Sequence, residues 1–515
     1  WECGSWCTAA SPPMKRPDRV SMAVSALALT AIAAVVAPLP AASAGPCSDI
    51  HNEAKKQKCK DSLLPETYSI HDMGMHEYGG GSKTWNGTVR SVAKLRGPDG
   101  TPDVSYTLRT AYERTKVAER RQRVFTINGK TPGPTITAEK GDLIRVVLRN
   151  RNIDAGTTIH WHGVDVPNGE DGVAGVTQNA VLPGQKFVYR FKASDVGTYW
   201  YHSHQYSEQQ VTKGLVGAIV IQPRNTPVPA ATARDVTALV HSYRGRNTIN
   251  GSTGSRTVSG DIGGRRIRFV NTNQTSARVA SSVPYRVVAV DGAEVNGPTL
   301  VQPDTHVDVP AAGRVDIVLD AAATSARVGL VGGPSLVLGS GSPPKLATNN
   351  VVDLLSYGAP DPTVSIPTPD RRFNYVIGQK AGYLDGKYGT WFTINGELIP
   401  HVPMYMVKPN ETVRVRFQNN TSVDHPMHPH GQHMRVLSRN GVPSSGSPWV
   451  VDTLEVHPGE EFVVQMQTDN PGDWMFHCHI LAHANDGLVT HLSYLNVRNP
   501  FRIGVISRRL TNHPE

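Results

Sequence analysis

Short strand-like segments, separated by turns rich in Gly, Pro and Asn, dominate the pattern of hydrophobic and polar positions along the chain. Residues 412–418 alternate between apolar and polar side chains, and residues 142–149 and 187–191 are rich in β-branched or aromatic side chains. Many short strands with frequent turn signals are typical of all-β proteins. The pattern therefore predicts antiparallel β-sandwiches of Greek-key character.

One unit of this pattern occurs twice, and a fainter version lies between the two copies. The sequence Phe-Thr-Ile-Asn-Gly at residues 125–129 recurs unchanged at residues 392–396. Two histidine clusters follow each copy, and the second cluster comes after a Pro-Gly turn and a further strand pattern. Residues 268–271 and 313–319 resemble the same unit without its histidines. We therefore predict two metal-binding domains that flank a domain without a metal.

Loose, turn-rich composition marks the linkers between these domains near residues 222–234 and 358–370. The predicted division has four parts: upstream residues and a signal peptide at 1–44, an N-terminal extension with the first domain at 45–224, a middle domain at 225–360, and a third domain at 361–515.

Residues 14–44 have the pattern of a secretory signal peptide. A cationic start precedes an apolar run at residues 22–37, and Ala-Ser-Ala at residues 42–44 resembles a cleavage site. The alternative is an uncleaved membrane anchor, but the apolar run is short for a membrane span and ends at Pro38. We expect a secreted protein with no stable membrane insertion after the signal is removed.

Composition and charge exclude several classes of protein. With 39% hydrophobic and 18% charged residues, 48 Gly and 38 Pro, the chain resembles neither a disordered tail nor a coiled coil. The formal charge of +9 is spread along the chain without a block of Lys and Arg. We therefore expect no nucleic-acid partner.

Removal of residues 1–44 would leave three cysteines. Cys47 and Cys59 can close a short loop as a disulfide, although their spacing does not decide whether they are bonded. Cys478 would then have no cysteine partner. A lone thiol in an oxidising compartment usually needs protection, and metal ligation would provide it.

Histidines occur in His-x-His pairs more often than chance allows. Twenty histidines in a chain of this length predict about 0.8 such pairs. The sequence has four pairs: His160 with His162, His202 with His204, His428 with His430, and His477 with His479. Residues two apart on a strand project from the same face, so each pair can present two imidazoles to one location.

Cys478 lies between the last two of these histidines, so on a strand its side chain points to the opposite face. One strand can therefore serve two metal sites. A thiolate with two imidazoles is the ligand set of a blue, type 1 copper site, and His425 and His483 are candidates for the imidazoles. Zinc is the competing metal, but a structural zinc site usually has four closed tetrahedral ligands.

These motifs resemble those of the multicopper oxidases, and the resemblance covers residues 125–488. It is carried by four segments: His-Trp-His-Gly at 160–163, His-Ser-His at 202–204, His-Pro-Met-His-Pro-His-Gly at 425–431, and His-Cys-His-Ile-Leu-Ala-His at 477–483. The family implies three cupredoxin-like domains, with the type 1 copper in the third and a trinuclear copper cluster between the first and the third; the middle domain, which lacks the histidines, would hold no copper.

The resemblance also implies a role for each ligand position and a reaction. His160 and His428 would hold the type 2 copper, and His425, Cys478 and His483 the type 1 copper. The type 3 pair would be held by His162, His202, His204, His430, His477 and His479. In this family a substrate gives single electrons to the type 1 copper, and the bonds from the cysteine to its neighbouring histidines carry them to the cluster, where dioxygen is reduced to water.

Two further positions bear on this chemistry. The axial position of the type 1 site lies ten residues after the cysteine in the family, and here it is Leu488, which cannot ligate. We expect a high reduction potential, unless hydrogen bonds and burial around the copper override the axial residue. Asp171 resembles the family's proton-relay carboxylate, with a solvated turn residue as the alternative. Leu481 and Ala484 replace carboxylates found in relatives, and Asp486 is a possible substitute.

The leading prediction is a secreted, monomeric, laccase-like oxidase with four coppers that oxidises phenols or aromatic amines and reduces O2. A metal oxidase for Cu(I) or Mn(II) is the alternative, although the ten methionines form no dense run. A third hypothesis is a non-catalytic cupredoxin scaffold, which the eleven filled ligand positions disfavour.

Overall fold

Strands make up nearly all of the regular secondary structure, which confirms the predicted all-β class of cupredoxin-like sandwiches. The computed structural model describes residue 47 and residues 50–52, 55–56, 67–70, 74–224, 235–260, 262–320 and 324–515. All of them belong to one unit, Cys47–Glu515. The predicted signal peptide lies outside the described residues. Cys47 is disulfide-bonded, whereas Cys59 lies outside the described residues.

The first sandwich follows three short strands, β1 (Thr67–Tyr68), β2 (Met75–Glu77) and β3 (Arg90–Ser91). Its strands are β4 (Val104–Val117), β5 (Arg120–Ile127), β6 (Ile136–Glu139), β7 (Leu143–Asn150), β8 (His160–His162), β9 (Lys186–Lys192), β10 (Gly197–His202) and β11 (Val216–Gln222). They form two four-stranded sheets, β5-β4-β7-β9 and β6-β11-β10-β8. Apolar side chains from both sheets, including Ile144, Trp161 and Phe191, form the core between them.

The middle sandwich has two six-stranded sheets around its own core. Its strands are β12 (Val236–Tyr243), β13 (Arg246–Ile249), β14 (Arg256–Val258), β15 (Arg266–Asn271), β16 (Ala277–Ser281), β17 (Tyr285–Val290), β18 (Ala293–Glu294), β19 (Thr305–Val309), β20 (Arg314–Leu319), β21 (Ser325–Leu330), β22 (Ser335–Gly339) and β23 (Asn350–Val351). The sheet orders are β13-β12-β15-β20-β17-β18 and β14-β22-β21-β16-β19-β23.

The third sandwich carries a long hairpin, β24–β25 (residues 371–394), and the last two histidine clusters. Its strands are β24 (Arg371–Leu384), β25 (Lys387–Ile394), β26 (Pro403–Val407), β27 (Thr412–Asn419), β28 (His425–Pro429), β29 (Met434–Arg439), β30 (Val442–Pro443), β31 (Val450–Val451), β32 (Leu454–Val456), β33 (Glu461–Gln467), β34 (Asp473–Cys478) and β35 (Val489–Tyr494). The short strands β36 (Val497–Arg498), β37 (Ile503–Ser507) and β38 (Leu510–Asn512) follow. The main sheets are β2-β26-β35-β34-β28-β32 and β25-β24-β27-β33-β29-β30.

The segment before the first sandwich packs on the third sandwich. Strand β2 pairs with β26, and Val92 and Leu95 are buried in the core of the third sandwich. Strands β1 and β3 pair with β37 and β36. By its contacts, this segment therefore belongs with the third sandwich, although it precedes the first in sequence.

The sheets are mixed rather than purely antiparallel, which corrects the prediction from the strand pattern. In the first and third sandwiches, β4 runs parallel to β7 and β24 runs parallel to β27. Periodicity shows which faces of a strand are buried but not the direction of its neighbour. Long connections return the chain beside an earlier strand in the same direction, and this produces a parallel pair.

The repeated sequence Phe-Thr-Ile-Asn-Gly forms the same turn in both copies. Asn128 and Gly129 have φ of 54° and 77°, and Asn395 and Gly396 have φ of 54° and 83°. Two successive positive φ angles define a tight hairpin turn for which Asn-Gly is preferred. The requirement for two positive φ angles thus explains why Asn-Gly recurs in both copies.

Helices are few and short. Those whose full extent the structure describes lie at Val92–Lys94, Asn168–Glu170, Ser207–Thr212 and Leu481–Asn485. Within the described part of the chain, none has the length and apolar character needed to cross a bilayer.

Candidate metal centre

The paired histidines of both outer sandwiches lie on neighbouring strands or directly after them. In the first, β8 pairs with β10 so that His160 lies opposite His202. In the third, β28 pairs with β34 so that His428 lies opposite His477. Because residues two apart along an extended chain project from the same face, each outer sandwich presents a group of imidazoles to the other.

The eight paired histidines converge at the contact between the first and third sandwiches, and all eight are buried. Several close ring contacts join one imidazole from each sandwich. The ring centroids of His162 and His428 lie 3.8 Å apart, and those of His160 and His430 lie 3.9 Å apart. The remaining cross-contacts of this kind include His204 with His477 and His202 with His479, both at 5.2 Å.

Hydrogen bonds on the outer side of the cluster fix the orientation of most of these rings. Each Nδ1–H donates to a backbone carbonyl at 2.7–3.0 Å: His160 to Asp171, His202 to Ser203, His204 to Pro514, His428 to Asp452 and His477 to Cys478. A nitrogen that faces a carbonyl must carry the proton, so the other ring nitrogen has a free lone pair.

The inner nitrogens of the cluster are well suited to a metal. The Nε2 atoms of His160, His202, His204 and His428 are buried without a hydrogen-bond partner, and so are both ring nitrogens of His479. The Nε2 atoms of His430 and His477 face each other at 3.1 Å. Buried acceptors without partners are costly, and lone pairs directed at one another need a cation between them.

His162 is turned the opposite way. Its Nε2–H donates to Asp452 Oδ1 at 3.0 Å, and its Nδ1 is buried without a partner. Burial, followed by the neighbouring imidazoles, holds the pKa of His162 well below its ordinary value. The same causes lower the pKa values of His202, His204, His428, His430 and His479. Neutral imidazoles are the form that ligates metals.

Cys478 lies in a second cluster on the other face of β34. Its Sγ is 3.7 Å from Nδ1 of both His425 and His483, and these two nitrogens are 3.2 Å apart. Leu488 and Met427 belong to the buried apolar cluster that contains this thiol. Burial raises the pKa of the Cys478 thiol, so a thiolate here needs a compensating cation.

All eleven predicted ligand positions therefore fall in these two clusters. The sets of ligand atoms close enough to hold a metal ion include His425 with Cys478 and His483, His160 with His428 and His430, His160 with His162 and His202, and His204 with His430 and His477. One soft thiolate and many imidazoles suit copper better than zinc, because a structural zinc site usually has four closed tetrahedral ligands.

Asp171 is buried against the histidine cluster rather than solvated in a turn. Its Oδ2 accepts a hydrogen bond from Nδ1 of His430 at 2.9 Å, and its Oδ1 is 3.0 Å from Nδ1 of His160. The carboxylate thus touches one imidazole from each outer sandwich.

Two other carboxylates at the cluster were not found by sequence reasoning. Asp452 bonds to His162, as described above, and Glu515 Oε1 is 3.3 Å from Nδ1 of His477. Burial raises the pKa of Glu515 to about 8. Neither residue lies next to one of the paired histidines in the sequence, so no signal in the sequence connects it with the cluster.

The remaining residues singled out in the sequence have other surroundings. Leu481 is buried in an apolar cluster with Trp200, and the Nδ1 of His433 lies 3.5 Å from Asp165. Asp486 is partly buried, and its backbone carbonyl accepts a hydrogen bond from the Phe392 amide.

Comparison with known proteins agrees with this arrangement. Two family profiles, both described as "Multicopper oxidase", match residues 109–226 and 376–496, the segments that supply the two groups of histidines. The chain belongs to the multicopper oxidase family. Membership implies copper as the metal of the histidine clusters.

Relatives within the family include both laccases and iron-transport multicopper oxidases. The "Iron transport multicopper oxidase fetC" of Epichloe festucae is 26% identical over 71% of this chain and 72% of its own length. "Laccase-2" of Fomitopsis schrenkii is 26% identical over 81% of this chain and 90% of its own length. The crystal structure of the laccase from Botrytis aclada has the same fold, with a TM-score of 0.61, 19% identity, and coverage of 80% of this chain and 93% of that one.

Proposed function

We propose that this multicopper oxidase is laccase-like and couples the one-electron oxidation of phenols or aromatic amines to the four-electron reduction of O2 to water. The main support for the proposal is that one strand, β34, supplies residues to both ligand clusters. Its Cys478 side chain lies 3.7 Å from two imidazoles, and the adjacent His477 lies in the larger cluster on the opposite face.

The proposed ligands are those that the family resemblance implies. His160 and His428 would hold a type 2 copper, and His425, Cys478 and His483 a type 1 copper. A type 3 pair would be held by His162, His202, His204, His430, His477 and His479. The unpartnered inner nitrogens and the facing lone pairs support this assignment.

Copper bound at these positions supplies the one-electron chemistry and the reduction of dioxygen. The protein's own groups hold neutral imidazoles in fixed orientations, because their outer nitrogens donate to backbone carbonyls. The Asp171 carboxylate accepts a hydrogen bond from His430 Nδ1, lies 3.0 Å from His160 Nδ1, and is the proposed proton-transfer group. The apolar side chains around Cys478 exclude water from the thiolate site.

Leu488 supports a weakly reducing, laccase-like substrate such as a phenol. It is fully buried in the apolar cluster that contains Cys478, and it offers no ligand atom. A copper without an axial thioether should be a strong oxidant, as the oxidation of phenols requires. The laccases among the relatives agree with this proposal.

A metal oxidase for Cu(I) or Mn(II) is the second candidate, and a cavity of about 330 Å³ between the middle and third sandwiches favours it. Asp308, Glu455 and Glu460 contribute to its lining, together with His457, which contacts Asp424 beside His425. Carboxylate oxygens attract divalent cations. The relative from Epichloe festucae is named as an iron-transport oxidase.

We also propose that the protein is secreted and acts as a monomer on small molecules and O2. The proposal of secretion rests on the leader-like pattern of residues 14–44.

Oxygen uptake by the copper-loaded chain tests these candidates side by side. The substrates are a dimethoxyphenol, Cu(I) and Mn(II), and the copper-free chain is the control. Uptake that is fastest with the phenol supports the laccase-like proposal. Uptake confined to either metal ion supports the second candidate, and uptake with none of the three would favour a non-catalytic scaffold.

A further inference from the structure

Arg314, at the start of β20 in the middle sandwich, lies where all three sandwiches meet. Its side chain is 0% exposed. Its Nε–H donates to the Thr198 carbonyl on β10 of the first sandwich at 3.1 Å. Its Nη1–H donates to Oδ1 of Asp452 in the third sandwich at 2.6 Å, and its Nη2–H donates to Oδ2 of the same carboxylate. The guanidinium thus makes a two-pronged ion pair with one aspartate.

That aspartate is the residue that orients His162. Asp452 Oδ1 accepts the hydrogen bond from His162 Nε2 at 3.0 Å, and the Asp452 carbonyl accepts one from His428 Nδ1 at 2.7 Å. A Cβ at Gly163 would approach Asp452 Oδ2 and Arg314 Nη2 to within 2.4 and 2.5 Å. Glycine at this position therefore lets the ion pair pack directly against the chain that carries His162.

Asp291 fixes the other side of the same ion pair. Its Oδ2 accepts hydrogen bonds from the backbone amides of Asp452 and Thr453 at 3.2 and 3.1 Å. Its Oδ1 lies 3.2 Å from Arg314 Nη1. The middle sandwich thereby holds both the carboxylate and the backbone of Asp452.

We infer that Arg314 is a positioning residue for the metal cluster, acting through Asp452 on His162 and His428. The inference rests on the copper assignment proposed above. Fixing the proton of His162 on Nε2 leaves Nδ1 as its metal-binding atom, the reverse of His160, His202, His204 and His428. A partner that orients a ligating histidine typically changes metal affinity by about 10- to 100-fold when it is lost. The middle sandwich, which has no histidine pair, would thus contribute to copper binding.

Arg268 provides a matched control in the same sandwich. Its side chain is 3% exposed, it pairs with Asp235 and Asp316, and its Nη1–H donates to Thr198 Oγ1 at 2.9 Å. It therefore joins the middle and first sandwiches through a comparable ionic network, but its hydrogen bonds do not extend to Asp452 or to a histidine of the cluster.

The test is retention of copper by Arg314→Met and Arg268→Met under titration with EDTA, with wild type alongside. For Arg314→Met, the EDTA concentration that removes half of the cluster copper should fall about 10- to 100-fold. The blue absorption from the Cys478 site should retain its wild-type EDTA sensitivity. Arg268→Met should lose copper as wild type does, whatever its melting temperature. Equal retention by the two variants would overturn the inference.

A conservative pair covers the case in which Arg314→Met does not fold. Arg314→Lys keeps the positive charge but cannot make the two-pronged contact with Asp452. It should release cluster copper at a lower EDTA concentration than Arg268→Lys, and equal release would contradict the role of Arg314. Failure of wild type to bind a copper cluster would instead refute the proposed function, so the two failures are distinguishable.

Discussion

Single hydrogen bonds decide which nitrogen of each imidazole is available to a metal. In five of the eight paired histidines, the outer Nδ1–H donates to a backbone carbonyl, and in His162 the Nε2–H donates to Asp452. The spacing of the histidines predicted which rings converge. It did not predict the protonated nitrogen, because that depends on carbonyls and carboxylates brought close by the fold.

Asp171 should be needed for oxygen reduction but not for the blue copper. Asp171→Asn replaces one carboxylate oxygen with an amide NH2, so it cannot both accept the hydrogen bond from His430 Nδ1 and keep an acceptor oxygen beside His160 Nδ1. We expect oxygen uptake to fall by about 10- to 100-fold while the blue absorption is unchanged. Asp165→Asn, which alters the partner of His433 only, is the control. Normal uptake by Asp171→Asn would exclude the role.

Leu488 should set a high potential at the type 1 copper. Leu488→Met conserves volume and should cost less than about 1.5 kcal/mol of stability. The added thioether should favour Cu(II) and lower the reduction potential by roughly 60 mV for each tenfold change in relative affinity. A redox titration of the blue absorption measures the shift. An unchanged potential would show that hydrogen bonding and burial control the site instead.

His241 should make the chain sensitive to acid independently of the metal. It is buried on β12, its Nδ1 lies 2.8 Å from Thr272 Oγ1, and burial lowers its pKa from 6.5 to about 4. Between these pH values the unfolded chain binds a proton that the folded chain does not, so stability is full above pH 6.5 and falls toward pH 4. The loss should reach about 3 kcal/mol.

The measurement for His241 is the urea midpoint of wild type and His241→Gln from pH 7 to pH 4. Protonation of the cluster histidines affects both proteins equally and cancels in the difference. Wild type should lose more stability than the variant across this range. Parallel pH profiles would contradict the assignment.

At the level of the element, strand β34 supplies ligands to both clusters, because successive side chains on a strand point to opposite faces. Its residues are all buried, which places Cys478 among the apolar side chains of the third sandwich and His477 at the contact with the first. Period-two alternation was readable from the sequence. The parallel strand pairs and the packing of β2 on β26 were not, because both depend on where long connections return the chain.

Cys478→Ser should remove the type 1 copper site and leave the histidine cluster intact. Serine preserves the strand and its neighbouring histidines but is a poor ligand for type 1 copper. The variant should lose the blue colour and phenol oxidation and retain three of four coppers, as metal analysis of the purified protein would show. Loss of all bound copper would mean that the clusters are not independent.

At the scale of the whole molecule, the candidate cluster joins the first and third sandwiches, which are far apart in sequence. The middle sandwich contacts both of them. Sequence repeats predicted the two histidine-bearing units. Arg314 and Asp452 could not be found in this way, because their pairing depends on how the three sandwiches pack and not on local spacing.

Copper should therefore stabilise the contact between the first and third sandwiches. A ligand that binds only the folded state adds roughly 3–4 kcal/mol at 100 to 1,000 times its Kd. Removal of copper with EDTA should lower the melting temperature by about 5–10 °C, and added copper should restore it. Identical melting with and without copper would show that the cluster does not link the sandwiches.

The most direct test of the account is a crystal structure of the copper-loaded chain with an anomalous difference map at the copper absorption edge. The account predicts four peaks: one beside Cys478 Sγ, and three among the eight paired histidines, with one of the three bound by Nδ1 of His162. A single peak, or peaks away from these side chains, would contradict it.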